Sequence, residues 1–113
     1  MLANKFTKFQ RIKNEKEIFS LLKTGKRRAY GLFTIIYRKS SSKLDRVAII
    51  VSKKTGSAVF RNKVKRIFRE VFRSARVESP PFFDILICPH CSSSVSVEKT
   101  REKYTQWRKR QKT

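Results

Sequence analysis

The chain has 113 residues, which suits one small domain. Its 29 Lys and Arg outnumber 8 Asp and Glu, for a formal net charge of +21. Solubility alone asks for a net of about 2–8 in a small domain, so this excess points to a polyanionic partner: RNA, DNA or an anionic surface. No run approaches the ~18 apolar residues that span a bilayer. The start, MLANKFTKFQ, has neither the apolar run nor the small-residue cleavage site of a signal peptide. These readings predict a soluble, cytoplasmic protein without a membrane partner.

Lys13 to Gly25 (KNEKEIFSLLKTG) reads as a short helix. Asn14 is placed to cap it, with Glu17 three residues on to complete a capping box. Ile18, Phe19, Leu21 and Leu22 supply an apolar face, and Gly25 a stop. Leu32 to Lys39 (LFTIIYRK), rich in β-branched and aromatic residues, reads as a strand. Ser40 to Asp45 reads as a turn, and Arg46 to Ser52 (RVAIIVS) as a second strand. Their short polar connection predicts that the two strands pair. Lys53 to Gly56 then leads into a helix that runs to Arg76.

Val77 to Pro81 breaks the chain twice with proline. Phe82 to Cys88 (FFDILIC) reads as a third strand. Apolar residues at both alternations of the second and third strands predict cover on both faces. Ser96 to Lys112 reads as a polar helix with Ser96 as candidate N-cap and a thin apolar side of Val97, Tyr104 and Trp107. Its basic end is open to two readings, a phosphate contact or a solvated helix end. The order helix, strand, strand, helix, strand, helix predicts one α+β domain over residues 1–113, a small two-layer sandwich with 1–10 and 111–113 as flexible ends.

Gly56 to Arg76 carries seven Lys and Arg and one acid. At 100° per residue, Phe60, Val64, Ile67, Phe68, Val71, Phe72 and Ala75 fall within a little under half the circumference, a core-facing stripe. Arg61, Asn62, Lys65, Arg66, Arg69, Arg73 and Arg76 fill the neighbouring arc, with Glu70 at its edge. A solvated face mixes signs, because like charges at i,i+4 oppose the helix. Here Arg61, Lys65, Arg69 and Arg73 form a ladder of like charge, which suits phosphates alongside. Arg offers a planar fork for phosphate oxygens, and Asn62 can hydrogen-bond a base edge or a 2′-hydroxyl.

RNKVKRIFRE (Arg61 to Glu70) resembles the signature of the bacterial ribonuclease P protein component: Arg-Asn, two residues, Lys65-Arg66, two residues, Arg69. The lead-in VSKKTGSAVFRN (Val51 to Asn62) resembles the family's strand end, paired lysines, glycine and helix start. The likeness covers about Arg11 to Arg110. It implies an α+β fold with a left-handed β-α-β crossover, where the right-handed form is the rule. It also implies a protein subunit that does no chemistry itself. Its partners would be a catalytic RNA and precursor tRNA, with no small-molecule substrate. The RNA, with magnesium that it mainly holds itself, would remove the 5′ leader.

By the same likeness, Arg61, Asn62, Lys63, Lys65, Arg66, Arg69 and Arg73 would face the catalytic RNA, although Lys63 stands where Arg is common. Lys53 and Lys54 would lie near the leader, which would cross a cleft between the first helix and the sheet. The family's cleft aromatics fall here on Ile18, Leu22 and Ile36, with Phe19, Phe33 and Tyr37 nearby. Phe33 and Tyr37 are open to two readings, a stacking surface for unpaired bases or core packing.

The residues themselves argue against catalysis by the protein. His90 is the sole histidine, and Asp45 and Asp84 flank strands with no evident partner. CPHC (Cys88 to Cys91) offers two thiols and one imidazole, too few for a structural zinc, and Cys88 reads more simply as the end of the third strand. A structural RNA-binding protein of the ribosomal type is the alternative function. A DNA-binding module lacks a helix-turn-helix spacing around Gly56.

Overall fold

The computed structural model describes residues 11–41, 43–75, 81–90 and 97–111. Helix α1 spans Glu15–Thr24, and the Asn14 side chain accepts from the Lys16 N–H at 2.8 Å, so the cap holds. The capping box does not close: Glu17 turns to Arg46 instead, at 2.6 Å. The helix ends at Gly25, and only glycine fits there, because a Cβ would meet Ile36 Cγ2 and the Leu21 carbonyl at 2.7 Å. Strand β1 (Lys26–Ala29) follows at once, an element that the sequence reading did not contain. Gly31, with φ 79, lies in the turn into β2 (Phe33–Lys39).

Strand β3 (Arg46–Ile49) leads through a 3-10 turn (Lys53–Thr55) to α2 (Ala58–Ser74), then β4 (Phe83–Pro89) and α3 (Val97–Arg110). The sheet order is β1-β2-β4-β3, with β3 and β4 parallel and the other pairs antiparallel. The expected pairing of β2 with β3 is therefore wrong. Strand β4 lies between them because Ile85, Leu86 and Ile87 are all fully buried, and the most apolar strand gains most from a central place. The expected cover on both faces of β4 is present. Outside β3, Arg11 bridges Val47 and the Ile12 N–H donates to the Val47 carbonyl at 2.9 Å.

The two sheet faces serve different helices. Phe33, Ile35, Val47, Ile85 and Ile87 meet Val64, Phe68, Val71 and Phe72 of α2 and Tyr104 and Trp107 of α3. On the opposite face, Ile36, Ala48 and Leu86 meet Leu21 of α1 and Ile12. The α+β class holds, and α1 adds a layer to the expected sandwich. Asp45 and Asp84, expected to stand alone, are both paired. Asp84 is held by Arg46 at 2.9 and 3.0 Å, and buried Asp45 by buried Arg108 at 2.8 and 3.1 Å. Gln111, expected in a flexible end, bonds back to α3 through the Arg108 and Trp107 carbonyls. Positions 1–10, 112 and 113 lie outside the described residues, as does Ser96.

Candidate nucleic-acid interface

Helix α2 starts where backbone and side chains both demand it. Gly56 has φ 153 and ψ −159, a region open mainly to glycine, and the Ser57 hydroxyl accepts from the Phe60 N–H at 3.2 Å. The apolar stripe faces the core as its period required: Val64, Phe68, Val71 and Phe72 are buried, and Phe60, Ile67 and Ala75 half-buried. Asn62, Lys63, Arg66 and Arg69 are exposed and Lys65 is half-exposed. None of these four cations forms an ion pair among the described residues. Arg61 is half-buried, and its Nε is buried without a hydrogen-bond partner among the described residues. Such an orphaned donor costs about 1–3 kcal/mol until something accepts from it.

The ladder is interrupted at one rung. Arg73 Nε donates to Glu70 Oε2 at 3.2 Å, and a second ion-pair contact joins the same side chains, so Arg73 is neutralised. Arg76 lies outside the described residues. Lys53 and Lys54 are exposed in the 3-10 turn that enters α2, where the Ser52 hydroxyl accepts from the Lys54 N–H at 3.2 Å. They stand at the positive end of the α2 dipole.

The eight residues expected to line the leader cleft do not come together. Phe33 is fully buried on the α2/α3 face, 5.4 Å from Phe68 between ring centres, so it is a core residue and cannot stack a base. Tyr37 points to the same face, edge-on to Trp107 at 5.0 Å. Strand alternation explains both: Ile36 points toward α1, so Phe33 and Tyr37 cannot. Ile36 is itself buried, against Leu21. Ile18, Phe19 and Leu22 remain accessible on α1, with Phe19 59% and Leu22 37% exposed.

A groove of ≈ 260 Å³ along β3 joins the two halves of the expected interface. Ile12, Ile18, Ala48 and Ile50 make its apolar wall, and Arg11, Lys13, Lys65 and Arg69 reach it as well. Sequence reasoning missed Arg11 and Lys13. Their signal was two cations just before the first helix, on a segment that adds to the sheet edge.

The groups capable of chemistry are scattered. Among the described residues no three His, Cys, Asp or Glu converge to hold a metal ion, and Asp45 and Asp84 are occupied by arginines. His90 Nε2 lies 2.6 Å from the Thr34 hydroxyl. Burial pushes the Cys88 thiol up, against the opposing charge of Arg27, and Cys91 lies outside the described residues. No helix among the described residues is long and apolar enough to cross a membrane.

Among the described residues, a mixed four-stranded sheet, three helices and a helix face whose exposed cations Lys63, Arg66 and Arg69 form no ion pair define a small basic α+β protein. A family model described as Ribonuclease P matches residues 6–112. The ribonuclease P protein component of Thermotoga maritima is 32% identical over 98 residues, covering 87% of this chain and 84% of that protein. That of Clostridioides difficile is 32% identical over 99 residues, covering 87% of each. The solved RNase P protein of Thermotoga maritima superimposes with a TM-score of 0.76 at 30% identity, covering 91% of this chain and 98% of the other. The Staphylococcus aureus structure gives 0.77 at 27%, covering 91% and 95%. The chain belongs to the ribonuclease P protein family.

Proposed function

We propose that this chain is the protein subunit of a cytoplasmic ribonuclease P. It binds the catalytic RNA along α2 and assists removal of the 5′ leader from precursor tRNA. The chemistry belongs to the RNA and to magnesium held mainly by it. The observation that carries this reading is the cationic face of α2, where Lys65, Arg66 and Arg69 stand without a carboxylate partner among the described residues. Phosphates would neutralise the like charges that oppose the helix. Family membership favours this reading over a structural protein of the ribosomal type.

The leader, a single strand, fits the groove along β3, between α1 and the sheet, whose wall contains neither Phe33 nor Tyr37. Ile18, Ile12 and Ile50 offer apolar contact to bases, and Arg11, Lys13, Lys65 and Arg69 offer cations to the backbone. Lys53 and Lys54 extend the positive surface at the start of α2. Reconstituted cleavage of precursor tRNA at limiting magnesium tests the proposal. Addition of the protein should restore cleavage by the RNA, and the Arg66→Ala, Arg69→Ala double variant should restore much less. Equal rescue by the variant would remove α2 from the interface. Copurification with ribosomal RNA alone would reject the whole reading.

A further inference from the structure

Strand β1 has no part in the interface above, yet it is the most exposed element of the sheet. All four of its residues are exposed, and Lys26, Arg27 and Arg28 follow one another on a sheet edge. The register pairs Lys26 with Tyr37 and Arg28 with Ile35, which puts both cations on the face that α3 covers. Arg27 turns the other way and donates to the Leu22 carbonyl at the end of α1. Arg38 and Lys39 close β2 beside them.

A pocket of ≈ 400 Å³ opens at this corner, lined by Lys26, Tyr37, Arg38, Lys39, Pro81 and Phe83 among others. Its aromatic wall is rigid: Tyr37 is braced edge-on by Phe83 at 5.8 Å and by Trp107 at 5.0 Å. Its cations are not neutralised internally. Lys26, Arg38 and Lys39 form no ion pair among the described residues. Asp84 stands across from Arg38 in the ladder but is held by Arg46. Arg38 is fixed by neutral groups alone, the Ser20 hydroxyl at 2.8 Å and the Thr24 hydroxyl at 3.1 Å, so its charge is left for a ligand.

We propose that this corner is a second RNA-binding site, which holds one unpaired nucleotide with its base against Tyr37 and Pro81 and its phosphate on Lys26 and Lys39. A ring surface beside backbone-directed cations is the arrangement that captures single strands, whereas a duplex keeps its bases stacked away from such a wall. A purely apolar ligand would gain nothing from three cations at the pocket. Three strand spacings of about 4.8 Å put β1 roughly 14 Å from β3, so this site meets a different stretch of RNA from the one along α2. The inference goes beyond the α2 reading and rests on it only in taking RNA as the ligand.

The test measures binding of oligouridylate to the full chain against salt, with a thiouridine-substituted form for photocrosslinking. The Lys26→Ala, Lys39→Ala variant should lower the logarithmic salt slope by about 0.7, the share of the one single-strand phosphate that the two lysines hold. Its loss should add to that of Arg66→Ala, Arg69→Ala, because the two sites share no partner. Crosslinks should fall on the peptides that carry Tyr37 or Pro81. A slope moved by the α2 variant but not by the β1 variant, or crosslinks confined to α1, α2 and β3, overturns the second site alone. A slope moved by neither overturns the RNA reading with it.

Discussion

Arg108 on α3 and Arg66 on α2 are the same residue put to opposite uses. Arg108 is 4% exposed and gives its nitrogens to Asp45 and to the Pro81 carbonyl, so its charge is spent inside the fold. Arg66 is exposed with no ion-pair partner among the described residues, and Lys65 and Arg69 beside it add repulsion. The difference separates two jobs of positive charge in a chain of net +21. A paired, buried arginine fixes structure. An unpaired row opposes the isolated fold and becomes favourable only against a polyanion.

The largest expected effect sits at the paired end. Asp45→Ala removes the partner of a buried guanidinium and the acceptor of the Phe83 N–H, bonded at 2.8 Å. Stranding that charge should cost about 3–5 kcal/mol, a large share of the ~5–15 that holds a small domain, as read by urea unfolding. Replacing the pair together, Asp45→Leu with Arg108→Met, should return most of it. A loss below ~1 kcal/mol in the single variant would show that the pair does not anchor α3.

At the unpaired end the same experiment should give the opposite sign. Arg66→Ala with Arg69→Ala should leave unfolding unchanged or raise stability by a few tenths of a kcal/mol, since alanine favours helix and the repulsion goes. The salt slope of RNA binding should meanwhile fall by about one per lost contact. Destabilisation beyond ~1 kcal/mol with an unchanged slope would turn these residues into structural ones.

The contrast was only half visible in the sequence. On α2 every register position mattered: Val64, Phe68, Val71 and Phe72 recur with the helical period, so the cationic arc could be read off by subtraction. On α3, Arg108 read as one more charge on a polar tail, because its partner Asp45 lies 63 residues away and no local pattern connects them. Tyr104 and Trp107 are buried, as the thin apolar side of that helix required, and Thr100 and Arg108 are buried with them. Strand β1 escaped notice because Lys-Arg-Arg-Ala has no apolar alternation, as expected of an exposed edge. The β2–β3 pairing failed because adjacency in sequence is a weaker constraint than burial of Ile85, Leu86 and Ile87. For Phe33 and Tyr37 the core reading is the one that holds, and only the register that sets which alternation faces α1 could decide it.

The paired core also carries a pH signature. Tyr104 is fully buried beside the Asp45–Arg108 pair, and its phenol is pushed well above the usual 10.0, chiefly by burial, with Asp45 adding and Arg108 opposing. Above that pH the unfolded chain releases the proton first, so the folded state binds more protons and stability falls as pH rises. The limb should steepen by up to about 1.4 kcal/mol per pH unit, and Tyr104→Phe should flatten it. Identical alkaline limbs in the two chains would mean that the hydroxyl reaches water.

The smallest effect probes the border between the two regimes. Glu70 is the one acid on the cationic face, and by holding Arg73 it converts a rung of the ladder from the unpaired kind to the paired kind. The pair is half-exposed at i,i+3, with side-chain exposures of 37% and 47%, so it should stabilise the helix by only about 0.2–0.5 kcal/mol. Glu70→Gln should cost that much in unfolding experiments while it removes the carboxylate that pairs with Arg73. RNA binding should tighten and its salt slope should steepen by at most one. Tighter binding with an unchanged slope would mean that removal of a repulsive acid, and not recruitment of Arg73, made the difference, and the RNA footprint would then end at Arg69.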